Sequence, residues 1–294
     1  MAGDVNRINR TTVLEVSETS ADRDAEPNVL LGRPTFEMVA RPSVGRVFTG
    51  ERRVRLGDVD PSGRLRFDAL TRYTQDVSND DTTDVELTDD LAFVVRRTTV
   101  DTHQSGTFGE DLTIATFCGR LGKRWAERRL VVTGSAGARY DVATLWVHID
   151  VDSGRPRALT EEFLHHYGEA AQGRTVTARH SLRSPDQIGA DMSRTPWPLR
   201  SVDFDTFGHM NNAAYWAVIE EHLSRLPSIG PTRTTIEYGA GIAPGDVVTI
   251  ATARRLLPDG ATEDLLWWEV DGQPAASAAI EPLADGELMN TTSR

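Results

Sequence analysis

The chain has 294 residues, enough for two domains, with 39% hydrophobic residues, 26% charged residues and a formal net charge of -12. That acidity argues against nucleic acid as a partner, because a phosphate backbone is repelled unless basic residues cluster on one face. A single cysteine rules out a disulfide framework and a cysteine-rich metal site and fits a reducing, cytoplasmic setting. No apolar run approaches the ~20 residues that span a bilayer, so no membrane partner is expected.

Residues 1–46 lack the apolar core of a secretory signal and carry Asp4, Glu15, Glu18 and Asp22, unlike an acid-poor transit peptide. They read as a disordered tail in which Val29–Leu31 and Phe36–Val39 pack locally. A first domain is expected over 47–173. It opens with a short alternating strand, Arg53–Asp58, and turns at Val59-Asp60-Pro61-Ser62-Gly63. A helix follows with Phe67, Leu70, Tyr73 and Val77 at helical spacing. Leu91–Thr102, Leu112–Gly119, Glu127–Thr133 and Asp141–Val151 read as strands. The polar stretch 174–196 reads as a connection.

The same order then recurs over 197–283. Trp197–Val202 opens it and Asp203-Phe204-Asp205-Thr206-Phe207-Gly208 turns the chain. A helix carries Ala213, Trp216, Ala217, Ile219 and Leu223. Strands are expected at Thr232–Tyr238, Asp246–Arg255, Asp264–Val270 and about Pro274–Ile280, before a tail at 284–294. A helix followed by a run of antiparallel strands, twice over, is an α+β pattern with each helix covering a sheet face. The clearest trace of the repeat is Asp-x-Asp-x-x-Gly at 58–63 and again at 203–208, each time between a strand and a helix.

The densest set of reactive side chains is Asp203-Phe204-Asp205-Thr206-Phe207-Gly208-His209-Met210-Asn211-Asn212-Ala213-Ala214-Tyr215. This segment resembles the C-terminal signature of the plant-type and bacterial fatty acyl-carrier-protein thioesterases. Phe93–Arg97, Phe108–Cys118, Gly122-Lys123-Arg124, Trp146–Asp150 and Glu237-Tyr238 are similar to other strands of that family, so the likeness spans roughly 48–282. The resemblance implies a tandem hotdog fold, two curved antiparallel sheets each wrapped around a helix, with no cofactor. It implies hydrolysis of a fatty acyl thioester carried by acyl carrier protein or coenzyme A, by a monomer or homodimer. An acyl-CoA thioesterase of the same fold and a non-catalytic acyl-binding module are the alternatives. Carried over residue by residue, Asp205 is general base or nucleophile, His209 and Asn211 orient water or carbonyl, and Gly208, Asn212 and Glu221 bind substrate. The sequence departs from the plant pattern at Phe207, where an asparagine is expected, and at Gly241-Ile242, near which a Glu-Cys pair is expected.

Elementary chemistry points to the same place. Thioester hydrolysis needs a carboxylate to attack or to activate water, and donors for the developing oxyanion. Asp205 stands at a strand-to-helix turn, where the free N–H groups of a helix start are at hand and Gly208 permits close approach. Taken singly, Asp205 and Asn211 serve equally well as turn or cap residues, and His209 as a structural histidine. Asp60 is a further candidate, although Arg64 stands where the second copy has His209. Cys118 ends an apolar run and reads as a buried thiol. No Gly-x-Ser-x-Gly elbow, phosphate-binding glycine motif or metal-ligand spacing occurs. The basic cluster Arg120, Lys123, Arg124, Arg128 and Arg129 is either a docking patch for an acidic carrier or an ordinary ion-paired strand surface. Strand alternation puts Arg124 and Arg128 on one face, with Lys123 and Arg129 on the other.

Overall fold

The computed structural model describes residues 36–87, 92–182, 184–188, 192–226, 230–257 and 260–283. The expectations for 1–35 and 284–294, for Leu91 and for linker residues 183 and 189–191 lie outside them.

The elements run β1 (Val47–Arg53), α1 (Phe67–Asp84), β2 (Ala92–Gln104), β3 (Asp111–Leu121), β4 (Trp125–Gly134), β5 (Arg139–Ile149), α2 (Glu161–Ala171), β6 (Ser193–Trp197), α3 (Asn212–Leu223), β7 (Thr232–Tyr238), β8 (Val248–Leu256), β9 (Thr262–Val270) and β10 (Gln273–Pro282). The strands form a single ten-stranded sheet in the order β1-β3-β4-β5-β2-β7-β10-β9-β8-β6. Read inward from either edge, each half places its five strands first, third, fourth, fifth, second. That is the tandem hotdog arrangement, two copies of one topology related by a pseudo-twofold axis at the β2–β7 seam.

The seam carries the symmetry in its side chains. Thr99 and Thr235 face each other with hydroxyls 3.1 Å apart. On either side lie two ion pairs that the axis exchanges: Arg233 on Asp101, bidentate at 2.7 Å, and Arg97 on Glu237 at 3.7 Å.

Both long helices form where the apolar spacing places them. Phe67, Leu70 and Val77 of α1 are buried, as are Ala213, Trp216, Ile219 and Leu223 of α3. All but Ala213 join Val100, Val142, Ile236 and Trp268 of the sheet in one continuous core. The helices also meet each other, with the Phe67 and Trp216 rings 5.6 Å apart. The sheet-facing side of α1 is unusually polar. Thr71, Thr74 and Ser78 are buried, and each hydroxyl donates to a carbonyl three or four residues back, at 2.7 to 2.9 Å.

Three expectations need correction. First, Arg53–Asp58 and Trp197–Val202 are not the opening strands. The strands lie earlier, at β1 and β6, and the chain then tightens into 3-10 turns at Leu56–Asp58 and Ser201–Asp203. The cause is local: the Asp58 and Asp203 carboxylates accept the N–H groups of Arg55 (2.9 Å) and Arg200 (2.7 Å), which draws the backbone out of the ladder. Second, the last linker residues, 193–196, belong to β6, paired with β8.

Third, the disordered-tail reading fails over 36–46, where Phe36–Val39 packs locally as expected. Val39 is buried and its carbonyl accepts from Arg129 Nε at 3.2 Å. The Phe36 ring lies 5.6 to 5.9 Å from the guanidinium groups of Arg97, Arg120 and Arg233. Of the two readings of the basic cluster, the ion-paired strand surface fits three of its five members. Arg120 pairs with Glu127 at 2.7 Å, Arg128 with Asp81, and Arg129, wholly buried, with Asp141 at 3.0 Å.

The helix α2 has no counterpart among the expected elements. Thr160 caps it, accepting from Phe163 N at 3.1 Å, and Phe163, Tyr167, Ala170 and Ala171 pack beside Cys118. Burial pushes the Cys118 thiol up to about 12, which makes it a poor nucleophile.

Candidate active site

Each Asp-x-Asp-x-x-Gly segment builds the same scaffold, bond for bond. In the first copy Arg66 N donates to Asp58 O (2.9 Å), Asp60 N to Arg64 O (2.9 Å), Gly63 N to Asp60 O (2.9 Å) and Leu65 N to Gly106 O (2.8 Å). In the second, Asn211 N donates to Asp203 O (2.8 Å), Asp205 N to His209 O (3.0 Å), Gly208 N to Asp205 O (3.0 Å) and Met210 N to Ile242 O (2.8 Å). Gly63 and Gly208 take φ of 86° and 77°, the left-handed region that closes the turn. The motif is therefore a folding device first; chemistry rests on where the copies differ.

In the first copy the position is filled. Asp60 accepts from Ser62 N (2.9 Å), Ser62 Oγ (2.6 Å), Arg64 N (3.0 Å) and Arg64 Nε (3.0 Å). Burial works to raise its pKa, but the bonds from Ser62 and Arg64 outweigh it and hold the carboxyl below its ordinary value. Arg64 also reaches Glu220 of α3, with Nη1 3.2 Å from Oε1. Glu220 in turn accepts the N–H of Phe67, the first residue of α1. Arg66, the residue before the helix, gives no side-chain cap, so a carboxylate from the other copy does that work.

In the second copy the position is open. Among the described residues, Asp205 receives one bond, Phe207 N to Oδ1 at 2.9 Å, which leaves Oδ2 available. His209 stands exposed, its ring edge against the bare backbone of Gly241. Gly241 thus makes room for His209. A Cβ there would lie 2.6 Å from His209 Cδ2. Gly241→Ala should therefore push the imidazole aside and lower kcat by about 10- to 100-fold with little change in Tm. Steady-state rates and a thermal melt of the variant check this, and an unchanged kcat would remove His209 from the site.

Asn211 caps α3, its Oδ1 accepting from Ala213 N at 2.9 Å. Its carbonyl-side oxygen is thus structural, and only its amide nitrogen is left for other work. Asn212, the first residue of α3, lines a cleft with Thr71, Gln75 and Ser78 of α1, Trp146 of β5, and Trp216 and Tyr238 of the second copy. This cleft is narrow, with a cavity volume of about 20 Å³, far below the size of a ligand site. Tyr238 receives the Trp216 indole N–H at 3.0 Å. Burial raises the Tyr215 phenol, and the nearby Asp205 and Asp246 charges raise it further, so it remains protonated beside the carboxylate.

Glu221 does not join the group. Its side chain is 53% exposed and pairs with Arg225 at 3.0 Å on the solvent face of α3. One residue of helical rotation separates it from Glu220, which is 8% exposed and lies at the helix–helix contact. Glu220 and Gln75 were not among the sequence candidates, although α1 and α3 start in register with the repeat. Phe207 is 70% exposed and leaves the asparagine position of the plant pattern without a substitute, while Ile242 is fully buried.

Two family models divide the chain between them: the acyl-ACP thioesterase N-terminal domain matches residues 45–167 and the C-terminal domain residues 187–281. The chain belongs to the acyl-ACP thioesterase family. It is a thioester hydrolase. An uncharacterized protein of Mycobacterium tuberculosis is 32% identical over 215 residues, covering 72% of this thioesterase and 85% of its own length. Among solved structures, the 12:0-ACP thioesterase of Umbellularia californica matches with a TM-score of 0.65 at 20% identity, covering 80% of this chain and 93% of that one. An acyl-ACP thioesterase of Bacteroides thetaiotaomicron gives 0.59 at 16% identity, covering 80% and 97%. At these identities the structural likeness speaks to fold, and the thioesterase shares the tandem hotdog with both.

Proposed function

We propose that the thioesterase hydrolyses fatty acyl-ACP at the second copy of the repeat, with Asp205 as general base. Water adds to the carbonyl carbon while Asp205 Oδ2 takes its proton. The carbonyl π electrons move to oxygen, where N–H groups at the start of α3 receive the charge. Collapse breaks the C–S bond and the departing thiolate takes the proton back. His209 and the Asn211 amide nitrogen orient water or carbonyl, Gly208 lets the carbonyl approach, and the narrow cleft beside Asn212 widens to admit the acyl chain. The observation that carries this reading is the contrast between the fully bonded Asp60 and Asp205, which keeps a free oxygen beside an exposed histidine. The fused seam already pairs two hotdogs, so a monomer suffices, and a cytoplasmic setting suits the lone thiol at Cys118.

Release of free thiol from matched acyl-ACP and acyl-CoA panels tests the reading. A kcat/KM at least tenfold higher on the carrier protein names the carrier, while the reverse names an acyl-CoA thioesterase. Binding without turnover on both sinks the hydrolytic reading. In the same assay Asp60→Asn should keep kcat within about threefold while lowering Tm, because Asp60 anchors a turn. A collapse of kcat with the fold intact would move the site to the first copy.

A further inference from the structure

The pseudo-twofold axis exchanges α1 and α3, and this gives Glu220 a counterpart. Phe67 and Asn212 begin the two helices, and Glu220 and Gln75 are each the ninth residue of theirs. Glu220 closes the first copy, where its carboxylate takes the N–H of Phe67 and the Arg64 guanidinium. The same exchange would bring Gln75 toward the first N–H of α3, that of Asn212, with His209 standing for Arg64. Gln75 and Asn212 line the same cleft, as this relation requires. Among the described residues neither side-chain amide is bonded, and neither is the Asn212 N–H. Gln75 is half-buried and lines the cleft.

The difference between the two residues is a single charge. A carboxylate accepts the helix N–H and repels an oxyanion, whereas the uncharged carboxamide, which is not bonded to that N–H here, offers donors of its own. We infer that Gln75, supplied by the first copy, is a catalytic residue of the second. Its amide N–H groups donate to the thioester carbonyl oxygen beside the Asn212 N–H as negative charge develops there. The site is then incomplete in either copy alone. This rests on hydrolysis at the second copy.

The test measures kcat, KM and Tm for wild type, Gln75→Ala and Gln75→Glu on the best acyl thioester. Removing one oxyanion donor costs about 10²–10³ in kcat, so both variants should fall by roughly 100-fold, with KM within about threefold and Tm unchanged. Gln75→Glu keeps the shape of the side chain, so a residue that only fills space would tolerate it. Loss in both variants supports the assignment. A kcat within twofold of wild type in either one overturns it. No turnover by wild type on any acyl thioester overturns the hydrolytic reading itself, and the Gln75 assignment with it.

Discussion

Asp205→Asn should abolish thiol release, lowering kcat by at least about 10³-fold, while Tm stays within about 2 °C of wild type. The substitution keeps the shape and the acceptor that holds Phe207 N, so the turn survives. What it removes is the oxygen able to take a proton, and an amide cannot serve as base. General-base catalysis alone contributes about 10²–10⁴. If the carboxylate instead attacks the carbonyl directly, expelling the thiolate and forming an anhydride, the loss is as large; in a single turnover in ¹⁸O water, label found in the Asp205 carboxylate marks that route, because water that opens the anhydride at the aspartyl carbon leaves it there and general-base catalysis never does. A variant that retains a tenth of wild-type kcat would mean that Asp205 is a turn residue only.

Arg128→Met should cost about 3 kcal/mol without touching chemistry. Arg128, only 13% exposed, pairs with Asp81, lies 3.3 Å from Thr116 Oγ1 and places its guanidinium 5.3 Å from the Tyr167 ring. Asp81 is 1% exposed and keeps one other cation, Arg46 at 2.7 Å. Breaking a buried pair from one side leaves a charge without solvent or partner, a loss of about 3–5 kcal/mol, and Arg46 holds the figure to the low end. For a chain of this size that lowers Tm by roughly 6–12 °C. Adding Asp81→Leu should restore most of it, since no lone charge then remains. A carrier-docking role makes the opposite forecast, a raised KM for acyl-ACP with Tm unchanged, so one melt and one titration decide between them.

These cases also show what the sequence could and could not reveal. Repeat order, helix faces and the paired Asp turns were legible, because apolar spacing and turn chemistry act within a few residues. The partners of Arg128 and Arg129 come from Asp81 and Asp141, and no periodicity along one strand discloses an ion pair closed by another element. Alternation did separate Arg128 from Arg129 correctly, but not solvent from core. Glu221 was favoured over Glu220 by resemblance; which of two adjacent helical residues meets α1 is set by a 100° rotation that only packing fixes. The strand ends were misplaced because Asp58 and Asp203 bind backbone N–H groups that a ladder would otherwise use. Helix α2 was readable from Thr160 followed by Phe163, Tyr167 and Ala170, and its short length hid it.

Joining the two halves into one polypeptide has a cost and a benefit that a pair of separate subunits never faces. Identical subunits must carry the same residue on both sides of their axis, so a change that helps one site is imposed on the other. Here the axis is only approximate, and Arg64 can sit opposite His209. On the proposed reading one half gives up turnover and serves as a brace, its arginine and the Glu220 carboxylate clamping the helices together. The other half gains a rigid wall against which a long substrate can be held. On that reading the two halves divide the labour of one centre, and a residue of either half can change without its counterpart following.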